Sequence, residues 1–292
     1  MVSALLVSQI FRRNYPGLTL RFNRPYSEEI TLSLLTRAKE NGYSALVVTL
    51  DTMFMGWRPH DIDTAYLPFV HSYGCQNGFA DPVFMARFGK QPETKTQLAF
   101  PYNPREINAR IQQGDSAAKE LVYTSMEWNK ELASGRQRSW DELKLLRDNW
   151  EGPLVLKGIL CAADAELAID AGADGIVVSN HGGRQVDGTV SALWSLEQIM
   201  KSKKVKEAQA TGRFTILFDS SVRNGSDIFK ALALGAQAVL CKPSSLIDSM
   251  QWILTLVTII LVSISGTTVC IWVGSRRGRR CQARYQVNSC GA

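Results

Sequence analysis

The chain has 292 residues, 45% of them hydrophobic, and a formal charge of +6. That leaves room for one large α/β domain or two small ones, and the composition excludes a collagen-like or low-complexity chain. Arg276, Arg277, Arg279, Arg280 and Arg284 lie near the end with no acid among them, so the rest carries only +1; with no basic stripe interleaved with aromatics, nucleic acid is not an expected partner.

Cys75, Cys161, Cys241, Cys270, Cys281 and Cys290 form no CxxC pair, and their spacing fits neither a zinc site nor a small disulfide scaffold. The expectation is a protein without metal in a reducing, cytoplasmic setting. No basic segment followed by a long apolar run opens the chain, as a secretory signal would require.

In chain order, an amphipathic stretch over residues 28–41 is stopped by Gly42 and followed by a strand, Ala45–Leu50. A helix is predicted over 139–149, with Ser139 and Glu142 as a capping box. Then come a strand at Leu154–Leu156, a helix at 164–171, a strand at Gly175–Val178, and strands at Thr215–Phe218 and Ala236–Leu240 with helix 226–234 between them. Apolar strands alternating with helices imply parallel strands buried on both faces. An open doubly wound sheet and a closed barrel both fit; chemistry spread over many strand ends favours the barrel.

Residues 59–138 read differently. Pro59, Pro68, Pro82, Pro92, Pro101 and Pro104 punctuate a stretch with few apolar periods, which predicts a long excursion serving as a lid or binding segment. From Trp252 to Val273 no residue is charged, and arginines follow at once. A single membrane-spanning helix with a basic flank is one reading of 252–273; a buried helix and strand is the other. The expected organisation is a partial barrel over 1–243 and an atypical segment over 244–292.

The chemistry sits at strand ends. Ser179-Asn180-His181-Gly182-Gly183-Arg184-Gln185 puts a His and an Arg just past a strand. The His can act as a base near neutral pH and the Arg can hold a carboxylate by two parallel hydrogen bonds; the two glycines let backbone pass close to a ligand. A strand-end turn with a structural His is the competing reading. Asp51 ends another strand, where a carboxylate can orient an imidazole, and Arg58 follows as a second carboxylate contact. Lys157 ends a third, where a fixed cation can stabilise an anionic ring. Asp219, Arg223 and Lys242 follow the last two strands, the usual place for a phosphate in a barrel.

Lys157-Gly158, SNHGGRQ at 179–185, FDSSVRNGSDIFKALALGA at 218–236 and RAKENGYSALVVTLDTMFMGWRPHD at 37–61 resemble the FMN-dependent 2-hydroxy-acid dehydrogenases and oxidases. That family includes glycolate oxidase, lactate oxidase and flavocytochrome b2; the segment 37–61 looks most like its lactate 2-monooxygenase branch. The resemblance implies an α/β fold, a TIM (β/α)8-type barrel of which strands three to eight are present, with FMN at its mouth and oxidation of a small, lactate-like 2-hydroxy acid to a 2-oxo acid. It implies His181 as base and Asp51 as its partner, with Arg184 and Arg58 on the substrate carboxylate. It implies Thr49, Lys157 and Ser179 at the flavin ring, and Asp219, Ser221, Arg223, Cys241 and Lys242 at the ribityl phosphate. Oxygen or a redox protein would accept the electrons, and the intact family forms homo-oligomers. The family's Gln-Leu-Tyr at the end of strand three reads Arg21-Phe22-Asn23 here, Ser221 stands where Gly is usual, and the first two strands have no counterpart before Leu18. A catalytically inactive, truncated relative, membrane-anchored through 252–273, is the alternative expectation.

Overall fold

The computed structural model describes residues 18–64, 67–93 and 103–240; Cys241, Lys242, the apolar run 252–273 and the Arg-rich tail lie outside them. In chain order come β1 (Leu18–Phe22), α1 (Glu28–Glu40), β2 (Tyr43–Thr49), a long segment carrying α2 (Ser116–Leu132), α3 (Leu143–Asp148) and β3 (Leu154–Ile159). They are followed by α4 (Ala162–Asp170), β4 (Gly175–Val178), α5 (Ala192–Ile199), α6 (Lys203–Ala210), β5 (Thr215–Phe218), α7 (Gly225–Ala233) and β6 (Ala238–Val239). Among the described residues no helix is long and apolar enough to cross a membrane.

The strands form one parallel sheet in the order β1-β2-β3-β4-β5-β6. A doubly wound sheet would reverse its order at a switch point. This one never does: each strand pairs with its predecessor and successor in sequence, the winding of a (β/α) barrel. The fold is therefore an incomplete TIM-type barrel. Among the described residues β1 and β6 each have one paired side, so the sheet keeps two edges.

Two compact units make up the described residues. The first holds 18–22, 43–51 and 140–240; the second holds 23–42 and 52–139. In the first, strand side chains alternate between faces with period two. Ala45, Val47, Val155, Val177, Leu217 and Ala238 form one buried cluster. Leu46, Val48, Leu154, Leu156, Ile176, Val178, Ile216 and Phe218 occupy the opposite face and are also buried, with α4 against β3 and β4 and α5 against β4. That double burial is why these strands read as continuous apolar runs.

The second unit has its own core of Ile30, Cys75, Phe79, Phe84, Met85 and Trp128. The segment that reads as an excursion is thus largely helical. Asp81, fully buried, caps the helix Pro82–Ala86 through Phe84 N–H at 3.0 Å and also accepts from Ser33 Oγ at 2.8 Å and Arg37 at 3.1 Å. Burial pushes the Cys75 thiol up to about 11, against hydrogen bonds from Ser125 and Asn129 that lower it, so this thiol stays protonated core.

One irregularity bears on the site. Lys157 pairs with Val177 and Ile159 with Val178, so β3 carries one extra residue, Gly158, at φ 107°. Bulges of this kind re-aim side chains at strand ends. A Cβ at Gly158 would lie 2.9 Å from Asp51 Cβ, closer than such atoms approach. Gly158→Ala combines left-handed backbone strain with that clash and should lower unfolding free energy by about 1–3 kcal/mol, measured by urea denaturation.

Candidate active site

The strand face that carries Val47, Val155, Val177 and Leu217 continues, two residues on, into Thr49, Lys157, Ser179 and Asp219. Period-two alternation stacks these four polar residues directly above the apolar cluster, at the C-terminal ends of β2 to β5. The register makes Thr49 and Lys157 direct neighbours. Their placement therefore follows from where each apolar run stops.

Lys157 is 4% exposed. An ammonium buried this far needs partners. Its Nζ donates to Ser179 Oγ at 2.7 Å and to Asp51 Oδ2 at 3.4 Å, and faces Asp219 Oδ2 at 3.6 Å. Asp51 turns its other oxygen to His181: Oδ1 lies 2.9 Å from Nδ1. A carboxylate only accepts, so in the neutral imidazole Nδ1 carries the hydrogen and Nε2 keeps its lone pair. Burial pushes the Asp51 carboxyl up, but the His181 hydrogen bond and the Lys157 charge outweigh it and hold the group below its ordinary 3.8.

His181 opens a short 3-10 turn, His181–Gly183, directly after β4. Its φ is 59°, left-handed without being glycine, a conformation that only a firmly held loop sustains. Asn180 closes that loop: its Oδ1 accepts from Gly183 N–H at 3.1 Å and its Nδ2 donates to Val190 O at 3.1 Å. Gly182 and Gly183 have φ of 73° and 72°, and a Cβ on either would meet no described atom within 4 Å. Backbone conformation, not close approach by another chain segment, requires glycine here. Arg184 follows with its side chain exposed, and Gln185 is buried.

Of the remaining sequence candidates, Arg223 is exposed just before the Asn224 cap of α7, where Asn224 and Asp227 form a full capping box. Ser221 is exposed at φ 58°. Arg58 belongs to the second unit, where it is buried. Cys241 and Lys242 fall outside the described residues. The structure thus brings Asp51, Lys157, Ser179, His181 and Asp219 into one network, with Thr49 beside Lys157 on β2. It adds a residue that no periodicity marks: Ser220, whose Oγ lies within 3.4 Å of groups on both strand-end loops.

A sequence model of the FMN-dependent dehydrogenase family matches residues 8–243. The chain belongs to this family. An FMN-dependent alpha-hydroxy acid dehydrogenase of Penicillium citrinum is 43% identical over 216 residues, 74% of this chain and 46% of that protein. The L-lactate oxidase of Lysinibacillus sphaericus is 35% identical over 226 residues, 77% of this chain and 49% of that one. A solved structure of mandelate oxidase with benzoyl-formic acid aligns at 30% identity and a TM-score of 0.48, over 76% of this chain and 48% of the other. The chain spans about half the length of the curated relatives it matches.

The family's cofactor is FMN, and the residues present fit the edge of a flavin ring. Thr49 Oγ1 is buried with no hydrogen-bond partner among the described residues, next to Lys157 on the polar end of the sheet face. A buried hydroxyl of this kind has a donor and lone pairs to offer a further group. Lys157 donates two of its three protons to Ser179 and Asp51, and Asp219 Oδ2 stands at 3.6 Å from Nζ, an ion pair beyond hydrogen-bond distance. A ring edge rich in carbonyl and nitrogen acceptors would satisfy both.

The Asp51 carboxyl gives a pH test. Its folded value lies below 3.8, so as pH falls past 3.8 the unfolded chain takes up a proton that the folded chain still refuses. Its contribution is complete above 3.8 and is lost as pH drops through the lower folded value. The expected outcome is that Asp51→Asn flattens the stability–pH curve below 3.8, read from urea midpoints across the acid range; equal slopes in both proteins would contradict the pairing.

Proposed function

We propose that this chain carries the reaction centre of an FMN-dependent oxidoreductase that converts a small, lactate-like 2-hydroxy acid to the 2-oxo acid. The observation that carries the reading is the 2.9 Å contact between His181, after β4, and Asp51, after β2, backed by Lys157 on the strand between them. Family membership supports it, as do the names of the relatives.

His181 Nε2 takes the proton of the substrate's 2-hydroxyl, and Asp51 steadies the resulting imidazolium without itself taking the proton. Arg184, with its guanidinium exposed, holds the substrate carboxylate through paired hydrogen bonds. As the carbinol becomes a carbonyl the C2–H bond breaks and its hydrogen leaves with the bonding electron pair, the two-electron oxidation for which bound FMN would be the acceptor. Thr49, Lys157 and Ser179 are assigned to the flavin ring; Asp219, Ser221, Arg223, Cys241 and Lys242 to the ribityl chain and phosphate. Oxygen or a redox protein regenerates the oxidised cofactor, and a homo-oligomer is the expected assembly. The partial barrel over 1–243 is the functional domain. A cytoplasmic site of action fits Cys75 and Cys161, both free thiols.

A family member without turnover is the second reading. It rests on Arg21-Phe22-Asn23 at the end of β1, where the family pattern has Gln-Leu-Tyr. Anaerobic mixing of the FMN-reconstituted chain with lactate separates the two. Bleaching of flavin absorbance is expected, slowed about 10²–10⁴-fold in His181→Gln as the base is lost. Bound flavin that lactate, glycolate and mandelate all fail to bleach would favour the second reading.

A further inference from the structure

The loop after β5 adopts a backbone that its residues do not favour. Ser220 has φ 87° and Ser221 φ 58°, both in the left-handed region where glycine is the cheap choice. Nothing in the Asp219-Ser220-Ser221 sequence prefers this turn locally, so tertiary contacts must hold it.

The Ser220 hydroxyl makes those contacts. Its Oγ accepts from Asn180 N–H at 3.2 Å and Gly182 N–H at 3.1 Å, and donates to Asp219 Oδ1 at 2.9 Å. One proton and two lone pairs are all that a hydroxyl has, and each is engaged. Ser179 Oγ lies a further 3.4 Å away. The two amides that Ser220 holds flank His181, whose own N–H donates to Ser179 Oγ at 3.2 Å. Three consecutive amides of the histidine loop therefore donate to two serine hydroxyls. The Asp219 carboxylate, fixed at one oxygen by Ser220, presents the other to Lys157 Nζ at 3.6 Å.

We propose that Ser220 is a positioning residue for His181: its hydroxyl clamps the amides on either side of the histidine and so fixes the turn that aims the imidazole at Asp51. It touches none of the reacting groups itself. The proposal rests on the reading of His181 as the base, but not on turnover.

Two substitutions separate the clamp from the backbone strain. Ser220→Ala removes the hydroxyl and keeps the strain; Ser220→Gly removes both. The measurement is the proton NMR signal of the His181 Nδ1–H, held against Asp51 Oδ1 at 2.9 Å, in the purified full-length chain, assigned by its loss in His181→Gln, with thermal melting alongside. Asp51, Lys157 and Asp219, the charged groups of the site, are the same in all the proteins compared. Loosening the loop weakens that hydrogen bond, so the signal should broaden by exchange with water and move upfield in both variants. Ser220→Gly should melt at or above the parent Tm and Ser220→Ala below it. If Ser220→Ala does not fold, Ser220→Gly alone decides. An Nδ1–H signal unchanged in folded Ser220→Gly, whatever its Tm, would overturn the proposal. Failure of the flavin reading would appear separately, as a parent chain that neither binds FMN nor reacts with hydroxy acids while its His181 Nδ1–H signal still responds to Ser220.

Discussion

Lys157 places an ammonium at the end of β3 with almost no access to water. A buried cation is tolerated only where anions and acceptors surround it, because removing one partner strands an uncompensated charge at a cost of about 3–5 kcal/mol. Asp51, Ser179 and Asp219 are that surround, drawn from the ends of β2, β4 and β5. Once Asp51 is held against Lys157, its second oxygen is free to orient His181. The proposed base therefore depends on a cation that it does not touch. Gly158 permits the arrangement, since any side chain there would press on Asp51.

The architecture explains why the partners converge. A parallel sheet wound in one direction places every strand's C-terminal end on the same side. Each strand needs only one polar residue at the correct parity, two positions past its last inward apolar residue, to contribute to a shared centre. Thr49, Lys157, Ser179 and Asp219 obey that rule over the cluster of Val47, Val155, Val177 and Leu217. The histidine is then added by a loop under backbone strain, a site-specific feature laid on a regular scaffold.

The same rule sets what the sequence reveals. Gly175–Val178 and Thr215–Phe218 are legible to the residue because both faces of those strands are buried, and the polar residue that ends each run is visible as a break. The helix Ser116–Leu132 is hidden, because its inward face includes Thr124, Ser125 and Glu131 beside Trp128, so a hydrophobic period never forms. Ser139 and Glu142 resemble a capping box, yet the chain makes a 3-10 turn over Trp140–Glu142 before α3 begins. Ser220 is illegible for a different reason: its role depends on amides 38 and 40 residues away in sequence, and no local pattern encodes those contacts. Gly182 and Gly183 are legible as special, and the structure adds that both have positive φ.

The polar end of this sheet is proposed as a flavin site. The visible absorbance spectrum of the purified chain, taken before and after incubation with FMN and removal of free flavin, tests it most directly. Flavin absorbance should stay with the protein and be lost or sharply weakened in Lys157→Met. A colourless chain that takes up no added FMN would contradict it.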